Sequence, residues 1–181
     1  MPRPDRPRRL LFVCTGNICR SPLGEAVFAH QARARGVAGR YQVDSAGTHG
    51  WHSGEKADWR SREVGERHGV KVESRARALE DEDFERFDVI VAMDRGHLRE
   101  MQARCPARHR PKLELMRAWD RPGSPEDVPD PYYGELDGFE RVYEMLDRCC
   151  RALLDALESG RHRACAPEGG AARGDARPSR A

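Results

Sequence analysis

Residues 14–21 read Cys-Thr-Gly-Asn-Ile-Cys-Arg-Ser. Two thiols, a guanidinium and two hydroxyls in one short stretch suit three chemistries: nucleophilic attack by Cys14, metal ligation by Cys14 and Cys19, or a thiol–disulfide pair. Zinc ligation needs a second spaced Cys or His pair. None follows at finger-like distance, and His49 and His52 form a lone pair in a loop. Phosphate chemistry explains more of the stretch. Backbone N–H groups cradle an anion only where the chain curls tightly, and Gly16 and Asn17 tolerate left-handed conformations. A helix start directly after the curl adds its positive end.

In such a cradle the thiolate is the nucleophilic form of Cys14, and amide dipoles, the helix start and Arg20 all favour it. The planar fork of Arg20 grips two phosphoryl oxygens, which lysine cannot do. Ser21 can offer its hydroxyl to the sulfur as it leaves. In an arginine-rich chain a Cys followed six positions later by Arg arises by chance about once; a following Ser and an interior Gly make the coincidence roughly 200-fold rarer. Cys19 has two readings, a thiol packed beneath the loop or a trap for oxidised Cys14 as a disulfide.

The elements that must position these groups can be read from the pattern. Leu10–Val13 is an apolar run suited to a buried strand. Ser21 and Pro22 look like the N-cap and first position of a helix that ends at Gly36. Tyr41–Ser45 is a second strand, running into Ala46 and Gly47, and Ala57–His68 a helix closed by Gly69. Val89–Met93, between Asp88 and Asp94, reads as a central strand. Helical sequence to about Cys105, a weaker strand at Leu113–Met116 and a long helix from about Asp137 to Leu157 complete the pattern. Phe139, Val142, Met145, Leu146, Leu153, Leu154 and Leu157 form the apolar stripe of that last helix. Alternating strands and helices predict an α/β fold, a four-stranded parallel sheet flanked by helices, with the phosphate-binding loop after the first strand.

The expected organisation is a flexible N-terminus over residues 1–8, one domain over 9–159 and a disordered tail over 160–181. Of the 181 residues, 38% are hydrophobic and 34% charged, and the formal net charge is +2. Both ends are basic and the segment between them is mildly acidic, which gives no reason to expect nucleic acid. The apolar runs are too short for a bilayer span or a signal peptide. Six cysteines without a signal peptide argue for reduced thiols. A cytoplasmic protein, free of membrane and monomeric, is the simplest expectation.

"VCTGNICRSP" resembles the phosphate-binding loop of the low-molecular-weight protein tyrosine phosphatases, and the likeness runs from about Leu10 to Leu157 through "SAGTHGWH", "RARAL", "FDVIVAMD" and "DPYYG". The resemblance implies hydrolysis of phosphotyrosine in protein substrates through a cysteinyl-phosphate intermediate, without metal or other cofactor. It makes Thr15, Gly16, Asn17, Ile18, Cys19 and Ser21 the loop that holds the phosphate. Such a reaction also needs a proton donor for the leaving phenolate. Asp127 and Asp130 are the carboxylates at hand; the family's motif selects Asp130, whose following Pro131 stiffens the loop. Tyr132 and Tyr133 match positions that line the cleft, and Trp51 stands on the opposite wall, where a ring can stack on a substrate ring. Asn17 and Ser45 match residues that brace the loop, while Ser74 stands where some members carry a bracing histidine.

Arsenate reductases share the Cys-x5-Arg loop but need two further cysteines after the third strand, and this chain has only Cys105 there. Arginine phosphatases of the same family resemble the loop with threonine in place of Ile18. The branched, apolar Ile18 leaves the N–H groups of a phosphorylated guanidinium without partners, so tyrosine is the expected substrate. A non-enzymatic phosphate-binding module would leave the pairing of Cys14 with Asp130 unexplained.

Overall fold

The computed structural model describes residues 6–165. Leu10, Leu11, Phe12 and Val13 are all fully buried, as befits a strand with both faces covered. They belong to β1 (Arg8–Cys14), which lies between β2 (Tyr41–Gly47) and β3 (Val89–Ala92), with β4 (Leu113–Leu115) beyond β3. Every pairing is parallel, with Cys14 opposite Gly47 and Val13 opposite Ala92. The four-stranded parallel sheet expected from the sequence is therefore present, with strand limits shifted by one or two residues.

Alternate residues of β1 serve two cores. Leu10 and Phe12 pack toward α1 (Arg20–Ala34) and α5 (Leu136–Glu158), with α2 (Trp59–Arg67) against those helices; Leu11 and Val13 join Phe84 and Met101, from α3 (Asp83–Arg86) and α4 (Arg95–Arg104). In the stripe of α5, Met145 is only half-buried, and Tyr143, Cys149 and Cys150 are buried instead. The chain steps from β1 out to β2 and then back across to β3, so a crevice opens where β1 and β3 end, the usual ligand position in such sheets.

Two expectations about helix and chain ends are corrected. Ser21 is not the N-cap of α1: the helix starts at Arg20, Cys19 holds the cap position, and no side chain caps it. The hydroxyl of Ser21 is engaged elsewhere, with Cys14. At the termini, β1 already begins at Arg8, and Arg6 pairs with Asp88 at 2.8 Å. At the other end residues 161–165 turn back onto the domain rather than leaving it. His162 is buried, stacks on Trp119 at 5.4 Å and lies 3.0 Å from Glu114, while Arg163 donates to the Leu113 carbonyl at 3.0 Å. A single buried imidazole carries no periodicity, so the pattern of apolar residues missed it. The rest of both expected flexible ends, residues 1–5 and 166–181, lies outside the described residues. No helix among the described residues is long and apolar enough to cross a membrane.

Candidate active site

The loop between β1 and α1 curls back on itself. Its carbonyls at Cys14, Thr15 and Ile18 accept from the N–H groups of Thr48, His49 and Asp58 at 2.9, 3.0 and 2.7 Å. A trans peptide sets N–H opposite C=O, so carbonyls turned outward leave the next residues' amides facing the other way, into the curl. Asn17 adopts the left-handed conformation (φ 56°) and Gly16 does not. Gly16 answers a different need, since a Cβ there would stand 3.0 Å from the His52 ring.

Asn17 is buried and braces the curl from beneath rather than lining it. Its Oδ1 accepts from the Arg77 backbone N–H at 3.0 Å, which fixes its amide so that Nδ2 donates to Ser21 Oγ at 2.8 Å. Ser21 Oγ in turn lies 2.9 Å from Cys14 Sγ. Ser21 thus reaches the sulfur and is not among the residues that line the cavity. Ser45 does not reach the loop at all: its hydroxyl donates to Glu25 on α1 at 2.5 Å, with Ser74 beside the same carboxyl. Burial pushes Glu25 up to about 7, so the hydroxyl of Ser45 serves a helix–strand contact beneath the site.

Close approach beneath the loop explains Gly47, which no spacing rule marked. A Cβ at Gly47 would fall 2.6 Å from the Thr15 carbonyl oxygen and 2.8 Å from that of His49, both backbone atoms that cannot swing away. Gly47→Ala should cost about 1–3 kcal/mol, as overpacking does, and should reduce turnover because the curl must shift. Thermal unfolding and kcat measured together check this; a variant matching the parent in both would show that the loop yields freely.

Arg20 is held from one side only. Its side chain is 4% exposed, and its NH1 donates to Asp94 Oδ2 and to the Val128 carbonyl, both at 2.9 Å. Its Nε is buried and has no hydrogen-bond partner among the described residues, and NH2 comes no nearer than 3.7 Å to Asp130 Oδ2. A buried donor without an acceptor is costly. Here the Nε–NH2 edge forms a two-pronged donor beside Cys14, matched to two oxygens of one anion.

Asp94 and His97 extend this anchorage and were not singled out from the sequence. Asp94 caps α4, accepting from the His97 backbone N–H at 2.9 Å, while its own N–H donates to His97 Nδ1 at 3.2 Å. Burial holds the His97 imidazole well below the usual histidine range, at about 4, so it is neutral at pH 7. With Nδ1 accepting, Nε2–H donates to Thr15 Oγ1 at 2.8 Å. A capping residue followed three positions later by a side chain able to reach back is a legible signal, and here it lies at the end of a central strand.

Above the curl is a cavity of about 250 Å³ lined by Cys14, Thr15, Gly16, Ile18, Cys19 and Arg20 below and by Trp51, His52, Asp130, Tyr132 and Tyr133 around its mouth. Trp51 is 71% exposed and stacks on His49 at 4.2 Å; Tyr132 and Tyr133 meet edge to face at 5.0 Å on the other wall. Asp127 lies outside the cavity, paired with Arg95 at 3.2 Å. Cys19 is buried, and burial, more than the nearby Asp58 carboxylate, pushes its thiol up, away from the thiolate form. Cys105 packs with Leu79, Met101 and Leu113 in the opposite core.

The profile of the low molecular weight phosphotyrosine protein phosphatases matches residues 9–163. Among curated relatives, a low molecular weight protein-tyrosine-phosphatase of Streptomyces coelicolor is 45% identical over 152 residues, covering 82% of this chain and 93% of its own. The human low molecular weight phosphotyrosine protein phosphatase is 40% identical, with 82% and 94% covered. Among solved structures, a protein tyrosine phosphatase of Entamoeba histolytica superposes with a TM-score of 0.83 at 41% identity, over 86% of this chain and 99% of that one.

Proposed function

Since the chain belongs to the low molecular weight phosphotyrosine protein phosphatase family, we propose that it hydrolyses phosphotyrosine in proteins with Cys14 as nucleophile, Arg20 as phosphate ligand and Asp130 as proton donor. The observation that carries this reading is Arg20: it lines the same cavity as Cys14 and is tied down through NH1, with its buried Nε free of a hydrogen-bond partner among the described residues and its NH2 3.7 Å from Asp130 Oδ2. A phosphoryl group seated on the inward amides places two oxygens on that edge. Cys14 Sγ then attacks phosphorus as the bond to the phenolate oxygen breaks, and Asp130 gives its proton to that oxygen. In the second step Asp130 takes a proton from water, the water oxygen attacks phosphorus, and the phosphorus–sulfur bond breaks. Ser21 Oγ–H, 2.9 Å from the sulfur, donates to the thiolate as it leaves. Cys19 stands in the cavity floor, as a packed thiol or as a partner for oxidised Cys14. A cytoplasmic, monomeric protein fits this reading.

The aromatic mouth and Ile18 carry the choice of phosphotyrosine. Ile18 is 9% exposed and lines the cavity, so it offers no hydrogen bond to a leaving group that brings N–H donors. An unpaired donor against that wall costs about 1–3 kcal/mol, whereas a phenol ring slides past and stacks on Trp51, Tyr132 or Tyr133. On matched peptides kcat/KM should be highest for phosphotyrosine over phosphoarginine, phosphoserine and phosphothreonine. Ile18→Thr should move the balance toward phosphoarginine. A parent enzyme that prefers phosphoarginine would refute the substrate assignment while leaving the reaction class standing.

A further inference from the structure

The loop that carries Asp130 makes few hydrogen bonds to the domain, although Pro131 is buried and Arg20 NH2 lies 3.7 Å from the Asp130 carboxylate. Val128 is well held, its N–H donating to the Met93 carbonyl and its carbonyl accepting from Arg20, both at 2.9 Å. Past it, residues 129–134 make two hydrogen bonds among themselves, Tyr132 N–H to Asp130 Oδ1 and Gly134 N–H to the Pro131 carbonyl. Among the described residues, the hydrogen bonds that join this segment to the rest of the chain come from Arg60. Arg60 NH2 donates to the Tyr132 carbonyl at 2.9 Å and NH1 to the Gly134 carbonyl at 2.7 Å.

Arg60 is itself fixed at both ends. Its Nε and NH2 bind the two oxygens of Asp58 at 3.0 and 2.9 Å, and its guanidinium lies 4.4 Å from the Phe139 ring centroid and 5.8 Å from that of Tyr132. Asp58 caps α2 through the Arg60 N–H, and its own N–H donates to the Ile18 carbonyl, in the anion-binding curl, at 2.7 Å. One continuous path therefore runs from the floor of the site, through Asp58 and Arg60, to Tyr132 and Gly134, just beyond the Asp130-Pro131 pair. No residue on that path other than Ile18 and Tyr132 lines the cavity.

We propose that Arg60 is the positioning residue of the acid loop, setting the place of the Asp130 carboxyl over Cys14; this rests on the reading of Asp130 as the proton donor. Arg60 touches neither phosphate nor leaving group in this scheme. Its effect passes through Asp130, so it must depend on how much the leaving group needs a proton. A fork geometry is required, because one side chain serves two carbonyls and a carboxylate at once, and a lysine ammonium cannot reach all of them in those directions.

The test compares Arg60→Ala, Arg60→Lys, Asp130→Asn and Arg60→Ala combined with Asp130→Asn on phenyl phosphate and dinitrophenyl phosphate, with thermal unfolding as a control. A misplacement of about 1 Å costs up to about 100-fold. Arg60→Ala should therefore slow phenyl phosphate by tens of fold and dinitrophenyl phosphate little, with Arg60→Lys, which keeps a charge beside Asp58, in between. In the Asp130→Asn background Arg60→Ala should add almost nothing. Equal slowing of both substrates, or a full additional loss in that background, would reduce Arg60 to a support of the fold and overturn the proposal. If Asp130→Asn itself slows both substrates equally, the proton donor has been misassigned and the role of Arg60 falls with it. A leaving-group-dependent loss in Asp130→Asn without one in Arg60→Ala overturns the positioning role alone.

Discussion

Replacing Cys14 with serine should abolish hydrolysis of aryl phosphates while tungstate or inorganic phosphate still binds. The groups that hold the anion are not the group that attacks it. The inward amides are set by the outward bonds of the loop carbonyls, and Arg20 by Asp94 and Val128, and none of these bonds uses the Cys14 side chain. Serine in that place keeps a neighbour for Ser21 Oγ, but an alcohol has no activating base within the curl comparable to the ionised form available to a thiol. Loss should reach background on phenyl phosphate, and binding measured by calorimetry should persist. Turnover by the serine variant would remove Cys14 from the nucleophile's place.

Asp130→Asn should have the second largest effect and a different signature. General acid catalysis contributes about 10²–10⁴-fold, and it contributes most where the leaving oxygen cannot depart without a proton. Phenyl phosphate should therefore slow by that range, and dinitrophenyl phosphate by far less. Asparagine keeps an oxygen to accept from the Tyr132 N–H, the bond now made at 3.1 Å, so the loop conformation is preserved and the loss is chemical. Parallel losses on the two substrates would send the search for the proton donor elsewhere, with Asp127 a poor candidate because Arg95 already occupies it.

The parts of the fold and site that were legible in the sequence are those encoded by neighbours. β1 announced itself because four consecutive apolar side chains have to be covered on both faces. Cys14 and Arg20 could be paired once Ser21, the interior Gly16 and the flanking strand end and helix start were read with their spacing, and both line the one cavity. Misreadings came where a residue type has two uses. Ser21 has the composition of a helix cap but spends its hydroxyl on the Cys14 sulfur, and Ser45 spends its own on Glu25. Arg60, Asp94, His97 and Gly47 were missed for another reason. Each acts on a partner that folding brings from a distant segment, Arg60 on residues 72 and 74 positions away in the chain; local spacing marks the Asp94–His97 capping pair but carries no trace of those distant partners.

The turned-back segment at 161–165 bears on how copies of this molecule meet one another. β4 is the rim of the sheet, only three residues long, and a sheet rim is where an unrelated strand can add itself by backbone pairing. Arg163 occupies the Leu113 carbonyl, while His162 and Trp119 both engage the Glu114 carboxylate beside it. One backbone acceptor at that rim is thereby covered by the chain itself, with side-chain contacts packed beside it, and a truncation ending at residue 159 would uncover it.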